Sequence, residues 1–256
     1  MNDLHAILPD CEPRSSVWNG FARTDFIFQG VHCILCEPEH AAAQRPWIWR
    51  ARFFDAWPAV DLALLARGYH LAHIDVADLF GNHVAVERWN TFYELLTGPL
   101  KLHRRPVLEG FSRGGLIVYN WAAQNPGRTG CIYGDAPVCD IRSWPGGKGC
   151  GPGHAQSWKT CLEAYGLNEE NAADYNDGPL FNLKPLADAA IPIVHVCGDA
   201  DLTVPCVENT AALEARYREL RGTIRVIHKP ACGHHPHSLT DPTPVVDFIE
   251  ARRLHT

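Results

Sequence analysis

The residues that could do chemistry fall in three short stretches. In the first, Gly110-Phe111-Ser112-Arg113-Gly114-Gly115, a serine stands between glycines in a G-x-S-x-G pattern. A serine hydroxyl is a weak nucleophile until a base takes its proton and a third group orients that base. The second stretch, Gly198-Asp199-Ala200-Asp201-Leu202-Thr203-Val204-Pro205, offers two carboxylates just after an apolar run. The third, Cys232-Gly233-His234-His235-Pro236-His237, offers three imidazoles. A serine, a carboxylate and an imidazole are the set that cleaves acyl bonds through a covalent acyl-enzyme. Spacing alone does not choose between Asp199 and Asp201, or among His234, His235 and His237. Three clustered histidines also suggest a metal. They stand too close in sequence to share one face of a regular element, and no acidic residue adjoins them, so no metal is expected.

The five-residue serine pattern is short, and its surroundings give it weight. Residues 106–111 read as a short apolar strand, and residues 113–124 as a helix that is apolar nearly all round and therefore buried. A sharp strand-to-helix turn lifts a serine hydroxyl above a sheet, with glycines where side chains would collide. The helix N-terminus adds a positive dipole near the developing oxyanion. A serine that only capped the helix would not need glycines on both sides.

The remaining elements alternate. Residues 25–29, 30–37 and 46–50 read as strands that meander. A helix opened by Pro58 and closed by Gly68 follows. Residues 69–76 read as a strand, 84–96 as an amphipathic helix, and 129–134 and 191–198 as further strands. A helix over 207–220, a strand over 223–228 and a helix over 243–252 complete the chain. Apolar runs alternating with helices argue for parallel strands with crossover helices. Residues 137–183 are too long for a simple connection. With a glycine-rich piece at 146–153 and a helical piece at 157–165, they read as a lid inserted in a single domain of residues 1–256.

Together the serine turn, the acid loop and the histidine loop resemble the α/β-hydrolase superfamily, in this chain order and over almost the whole length. The resemblance implies a mostly parallel sheet with helices on both faces. G-D-A-D-x-x-V-P is similar to the superfamily's acid loop, which assigns the acid to Asp201, with Asp199 bracing the turn. G-H-x-P-H is similar to members whose catalytic histidine directly follows glycine, which selects His234 over His237 and His235. One oxyanion donor is then the amide of Arg113. The second is expected from the segment 46–51, at the amide of Trp49 or Arg50, although those tryptophans fit a core equally well. The Ser112-Arg113 doublet resembles the elbow of glucuronoyl esterases, where the arginine assists at the oxyanion or the substrate. An arginine bridging the elbow helix to the sheet edge is the plainer role. Residues 133–137 and 234–239 resemble bacterial hydrolases of polysaccharide-degrading settings. The expected activity is hydrolysis of a carboxylic ester, on a small-molecule or carbohydrate substrate. Asp135, Trp144 and Trp158 are candidate substrate contacts. For Asp135 the alternatives are bracing a loop or replacing the triad acid; for the tryptophans, the lid's own small core. A peptidase, a thioesterase, a carbon–carbon hydrolase and a non-catalytic binding protein are the competing readings. The chemistry needs no cofactor, and none is expected.

Composition narrows the class. The 256 residues suit one domain with a sizeable core, and a net charge of −6 leaves no basic footprint for nucleic acid. No apolar run reaches membrane-spanning length. Residues 1–9 lack the basic and apolar regions of a secretory signal, which makes cytoplasm the default location. The ten cysteines are too few for a disulfide framework in so long a chain. Cys33 and Cys36 lie in a strand on opposite faces and read as small core residues. Cys139, Cys150 and Cys161 share one stretch and could hold a disulfide.

Overall fold

The sheet begins with a hairpin. Strands β1 (Arg14–Trp18) and β2 (Phe21–Phe28) run antiparallel across Asn19 and Gly20, whose positive φ values of 47° and 89° match the twist of a two-residue turn. The computed structural model describes Ile7 and residues 12–253, so the leader reading of residues 1–9 lies almost wholly outside the described residues. Strand β3 (Val31–Glu37) pairs with β2 and then, antiparallel, with β5 (His70–Ile74). Strand β4 (Trp47–Arg50) is not a third meander strand. Its residues are all buried, and it runs parallel between β5 and β6 (Val107–Phe111). Parallel strands β7 (Cys131–Asp135), β8 (Ile193–Gly198) and β9 (Ile224–Lys229) complete nine strands in the order β1-β2-β3-β5-β4-β6-β7-β8-β9. This is the α/β-hydrolase fold expected from the motif order.

Helices cover both faces. On one side lie α1 (Ala59–Ala66) and the final helix α7 (Thr243–Arg253), whose Val60, Leu64, Val245 and Ile249 pack on Ile48, Tyr133 and Val194. On the other lie α2 (His83–Thr97), α3 (Gly114–Gln124), α5 (Lys184–Asp188) and α6 (Thr210–Glu219). The packing there centres on tryptophans: Trp49 stacks on Trp89 at 3.9 Å between centroids and meets Trp121 edge-on. Cys33 belongs to this second layer and Cys36 to the first, as opposite faces of β3 require.

The segment after β7 contains one helix of length, α4 (Ala155–Tyr165). It forms a third, smaller core of Val138, Ile141, Trp158, Cys161 and Ala172 against Phe80 and Leu116. Cys139 and Cys161 are buried, Cys150 is exposed, and all three are free thiols. No helix among the described residues is long and apolar enough to cross a membrane.

From β4 the chain passes to β5 on one side, and β6 lies on the other. Connections therefore diverge at β4, and a crevice opens beyond the carboxyl ends of β4 and β6, the usual place for a site in an open parallel sheet.

Candidate active site

Ser112 sits on the turn from β6 to α3, in the left-handed region at φ 48°. That conformation costs a non-glycine residue about 1–3 kcal/mol, and the surroundings must hold it. Its N–H donates to the Asp135 carbonyl at 3.0 Å, and its carbonyl accepts from Gly115 at 3.0 Å and Val138 at 2.8 Å. The glycines explain how the chain can come this close. A Cβ on Gly110 would stand 3.0 Å from Gly115, and one on Gly115 would stand 2.7 Å from Pro137 and from the Val138 carbonyl. The tightest position is thus Gly115, outside the five-residue pattern, because the loop after β7 crosses directly over it.

Asp201, in the loop after β8, is nearly fully buried. Its Oδ1 accepts from the amides of Thr203 and Val204, both at 2.9 Å, which fixes the carboxylate in a side-chain turn. Its Oδ2 accepts from His234 Nδ1 at 2.7 Å. With that nitrogen donating, His234 Nε2 is the acceptor, and it lies 3.0 Å from Ser112 Oγ. Ser112, His234 and Asp201 therefore stand in one hydrogen-bonded line, brought from positions 122 and 33 residues apart. Such a line can move a proton from the hydroxyl to the imidazole while the carboxylate holds the tautomer.

The loop brings ring nitrogens of all three histidines within 4.8 Å of one another, closer than their sequence spacing suggests, but the other two have different main partners. His237 Nδ1 donates to Asp135 Oδ1 at 2.6 Å, with both side chains 2 % exposed. His235 stacks on Trp57 at 5.0 Å. Burial and the charges of its two histidine neighbours lower the pKa of His235. Asp199 binds His228 Nδ1 at 2.7 Å.

Asp135 is not open to a substrate. Its Oδ2 accepts from the Ser238 amide at 2.8 Å and from the Tyr133 hydroxyl at 2.9 Å, so the carboxylate braces the histidine loop from beneath. Trp158 is likewise withdrawn. It is buried in the third core, and its indole N–H donates to Glu169 at 2.7 Å. Trp144 packs beside Phe80 in the same core. These two tryptophans are held by the packing of the 137–183 segment itself.

The amides of Trp49 and Arg50 are not available as oxyanion donors. Both residues lie in β4, in register with Ala72, Leu108 and Glu109 of its neighbours, and strand amides are spent on the ladder. The free amide comes just later. Among the described residues, neither the Arg52 nor the Arg113 backbone N–H faces an acceptor. Arg52 N lies 3.7 Å from where a Gly114 Cβ would stand, close over the start of α3.

Arg50 acts through its side chain instead. The guanidinium is fully buried and donates to the carbonyls of Arg52 and Phe53 at 3.2 Å and to the carbonyl of Ala56. It also pairs with Asp61 and, at 3.4 Å, with Glu109. Burial and the nearby Asp61 push the Glu109 carboxyl well above the usual range. The loop so gripped turns through left-handed residues at Phe53, Asp55 and Trp57. Sequence gave no signal for this role, which joins positions up to 59 apart.

Two further guanidinium groups flank the elbow. Those of Arg52 and Arg113 lie 5.1 and 5.8 Å from the Phe53 ring centroid. Their carboxylate partners, Asp75 and Asp78, are 3.8 and 3.7 Å away, beyond hydrogen-bond reach. Burial and the neighbouring Arg52 lower the pKa of Arg113. Roomier clefts of about 420 and 440 Å³ exist, but neither is lined by Ser112 or His234.

No protein-family model matches this sequence, and no curated protein does. Solved structures do. The chain is similar to the dipeptidyl peptidase 4 of Porphyromonas gingivalis, with a TM-score of 0.69 and 14 % identity over 92 % of this chain and 36 % of that one. It is similar also to a puromycin-hydrolyzing peptidase of Mycobacterium tuberculosis, with a TM-score of 0.64 and 14 % identity over 94 % of this chain and 38 % of that one. The chain thus spans well under half the length of either protein, and what the two likenesses share with it is the fold.

Proposed function

We propose that this protein is a serine hydrolase that forms an acyl-enzyme on Ser112. The observation that carries the reading is the line Asp201–His234–Ser112, closed at 2.7 and 3.0 Å on a left-handed elbow. His234 takes the hydroxyl proton as Oγ attacks the carbonyl carbon, then gives it to the leaving group. Asp201 holds the tautomer and stabilises the imidazolium. Water, activated by the same imidazole, releases the acyl group. The amide of Arg113 and the amide of Arg52, rather than those of Trp49 or Arg50, receive the oxyanion. One such donor is worth about 2.7–4 kcal/mol. The 137–183 segment, packed on Phe80 beside the elbow, serves as the lid.

For the bond cleaved, the structural neighbours support an amide or peptide, since both carry peptidase names. The ester reading, including a carbohydrate ester, rests on the Ser112-Arg113 doublet and the resemblances of residues 133–137 and 234–239. The two separate chemically. An amine leaves only when protonated, whereas an activated phenolate leaves without help, so a triad that cuts amides also cuts aryl esters. Wild type and Ser112→Ala are assayed on short-chain aryl esters and on aminoacyl aryl amides, alongside a fluorophosphonate label. Turnover of both substrates by wild type alone supports the peptidase; turnover of esters only supports the esterase. A Ser112→Ala variant with near-normal turnover, or a folded wild type that neither labels nor turns over, sinks the proposal.

A further inference from the structure

Beyond the elbow, a second cluster of reactive side chains lies where β8, β9 and the acid loop meet. Cys197 ends β8, Cys206 opens the turn after the acid loop, and His228 lies on β9. The Cys197 and Cys206 sulfurs are 3.3 Å apart, and Cys197 Sγ is 3.7 Å from His228 Nδ1. All three ligand atoms fall within 4.8 Å of one another. Asp199 Oδ1 reaches the same imidazole nitrogen at 2.7 Å. We infer that Cys197, Cys206 and His228 form a three-ligand site for a thiophilic divalent cation of the zinc class, beside the Asp199 carboxylate.

The geometry fits that ion. Zinc–sulfur and zinc–nitrogen bonds of about 2.3 and 2.0 Å on a tetrahedron place two sulfurs roughly 3.8 Å apart and a sulfur and a nitrogen roughly 3.5 Å apart. The observed 3.3 and 3.7 Å reach those values by shifts of about half an ångström or less. The donor set of two soft thiols and one imidazole suits zinc better than magnesium or calcium, which prefer oxygen. Cys197 is buried, while His228 and Asp199 are about half exposed, which gives the ion a path from solvent. Binding releases the thiol protons to solvent.

A disulfide between the two cysteines is the competing use of this cluster. It would need the sulfurs to close from 3.3 Å to about 2.05 Å, and it would leave His228 and Asp199 with no part to play. The cluster contains neither Ser112 nor His234, so the ion's part is to hold the fold rather than to meet the substrate. Cys197 and Cys206 bracket Asp201 in sequence, and the ion would tie the acid loop to β8 and β9. The site stands whether or not Ser112 is a nucleophile.

The test uses the full chain, reduced and stripped with a chelator, then titrated with cobalt(II) and afterwards zinc(II). One equivalent of cobalt per chain, with intense thiolate-to-cobalt charge transfer and tetrahedral d–d bands that zinc abolishes, is the expected result. Cys206→Ser should remove most of the charge transfer. His228→Asn, on the exposed side and safe for folding, should weaken binding at least tenfold. Ser112→Ala should bind as wild type does. Cobalt bands without thiolate character, or bands lost in His234→Ala and kept in His228→Asn, would assign the metal to the histidine loop and overturn the site. So would a folded chain, its cysteines reduced to thiols, that takes up no cobalt.

Discussion

Two histidine–aspartate pairs stand side by side in this molecule, and they differ in what lies on the far side of the ring. His234 and His237 share one loop, their rings 4.8 Å apart. Each turns Nδ1 to a carboxylate, at 2.7 Å for Asp201 and 2.6 Å for Asp135. Beyond His234 is the Ser112 hydroxyl at 3.0 Å, whereas the ring of His237 has only other rings around it, those of Phe111, Trp57 and its two histidine neighbours. The same hydrogen bond therefore serves a proton relay in one pair and a loop anchor in the other. An imidazole–carboxylate pair in a structure is not evidence of catalysis until the second nitrogen is accounted for.

The largest test of the contrast removes one acid at a time. Asp201→Asn is expected to lower kcat of the folded fraction on the order of 10⁴-fold, because the wrong tautomer is then held. Asp135→Asn should be felt in stability instead. Breaking a buried pair costs about 3–5 kcal/mol, read as a lower urea midpoint, while kcat of the folded fraction stays within about tenfold. If Asp135→Asn loses activity at unchanged stability, the two roles have been exchanged.

A smaller effect concerns buried histidines whose hydrogen-bond partners are a carbonyl or hydroxyls rather than a carboxylate. Burial pushes His73 down to about 4 and His195 down to about 3. Each is neutral in the folded state, and in the unfolded chain each takes up a proton below about 6.5. The unfolded state then binds more protons, so stability falls as pH drops from about 6.5 toward 4. The slope is at most about 1.4 kcal/mol per pH unit for each group. Urea denaturation of wild type and His73→Asn across this window should show a shallower slope in the variant; equal slopes would remove His73 from the account. The smallest effect belongs to His235, which has an aromatic partner and no acid. His235→Gln should cost about 0.5–1.5 kcal/mol, the worth of one ring contact, and change kcat by less than about twofold.

Much of this site is readable in the sequence where the signal is local. The turn at Ser112 is set by its own glycines, the strand before it and the helix after it. The acid and histidine loops carry compact motifs. What sequence does not carry is pairing at a distance. Nothing near Asp135 announces that His237, 102 residues on, will take its Oδ1. Nothing near Arg50 tells that Asp61 and Glu109 will surround its guanidinium. The amides of Trp49 and Arg50, expected as second oxyanion donors, lie within the β4 ladder, and where that strand gives way to its loop is not written in the residues. β1 carries little strand signal because its residues are mostly polar and exposed and lack alternation, although Asn19-Gly20 is a hairpin signal. The parallel setting of β4 depends on contacts with β5 and β6, which lie later in the chain.

Arg50 has a consequence for how this protein can change. On the loop over the elbow it bonds only carbonyl oxygens, those of Arg52, Phe53 and Ala56. A guanidinium that reads carbonyls does not distinguish one side chain from another. The path of that loop is thus fixed independently of the residues displayed on it. Substitutions at positions 52 and 53, beside the elbow, can alter what the crevice presents without moving the backbone. Mutation of Arg50 itself would disturb everything at once. The molecule thereby separates a part that must be inherited intact from a part free to drift toward new substrates.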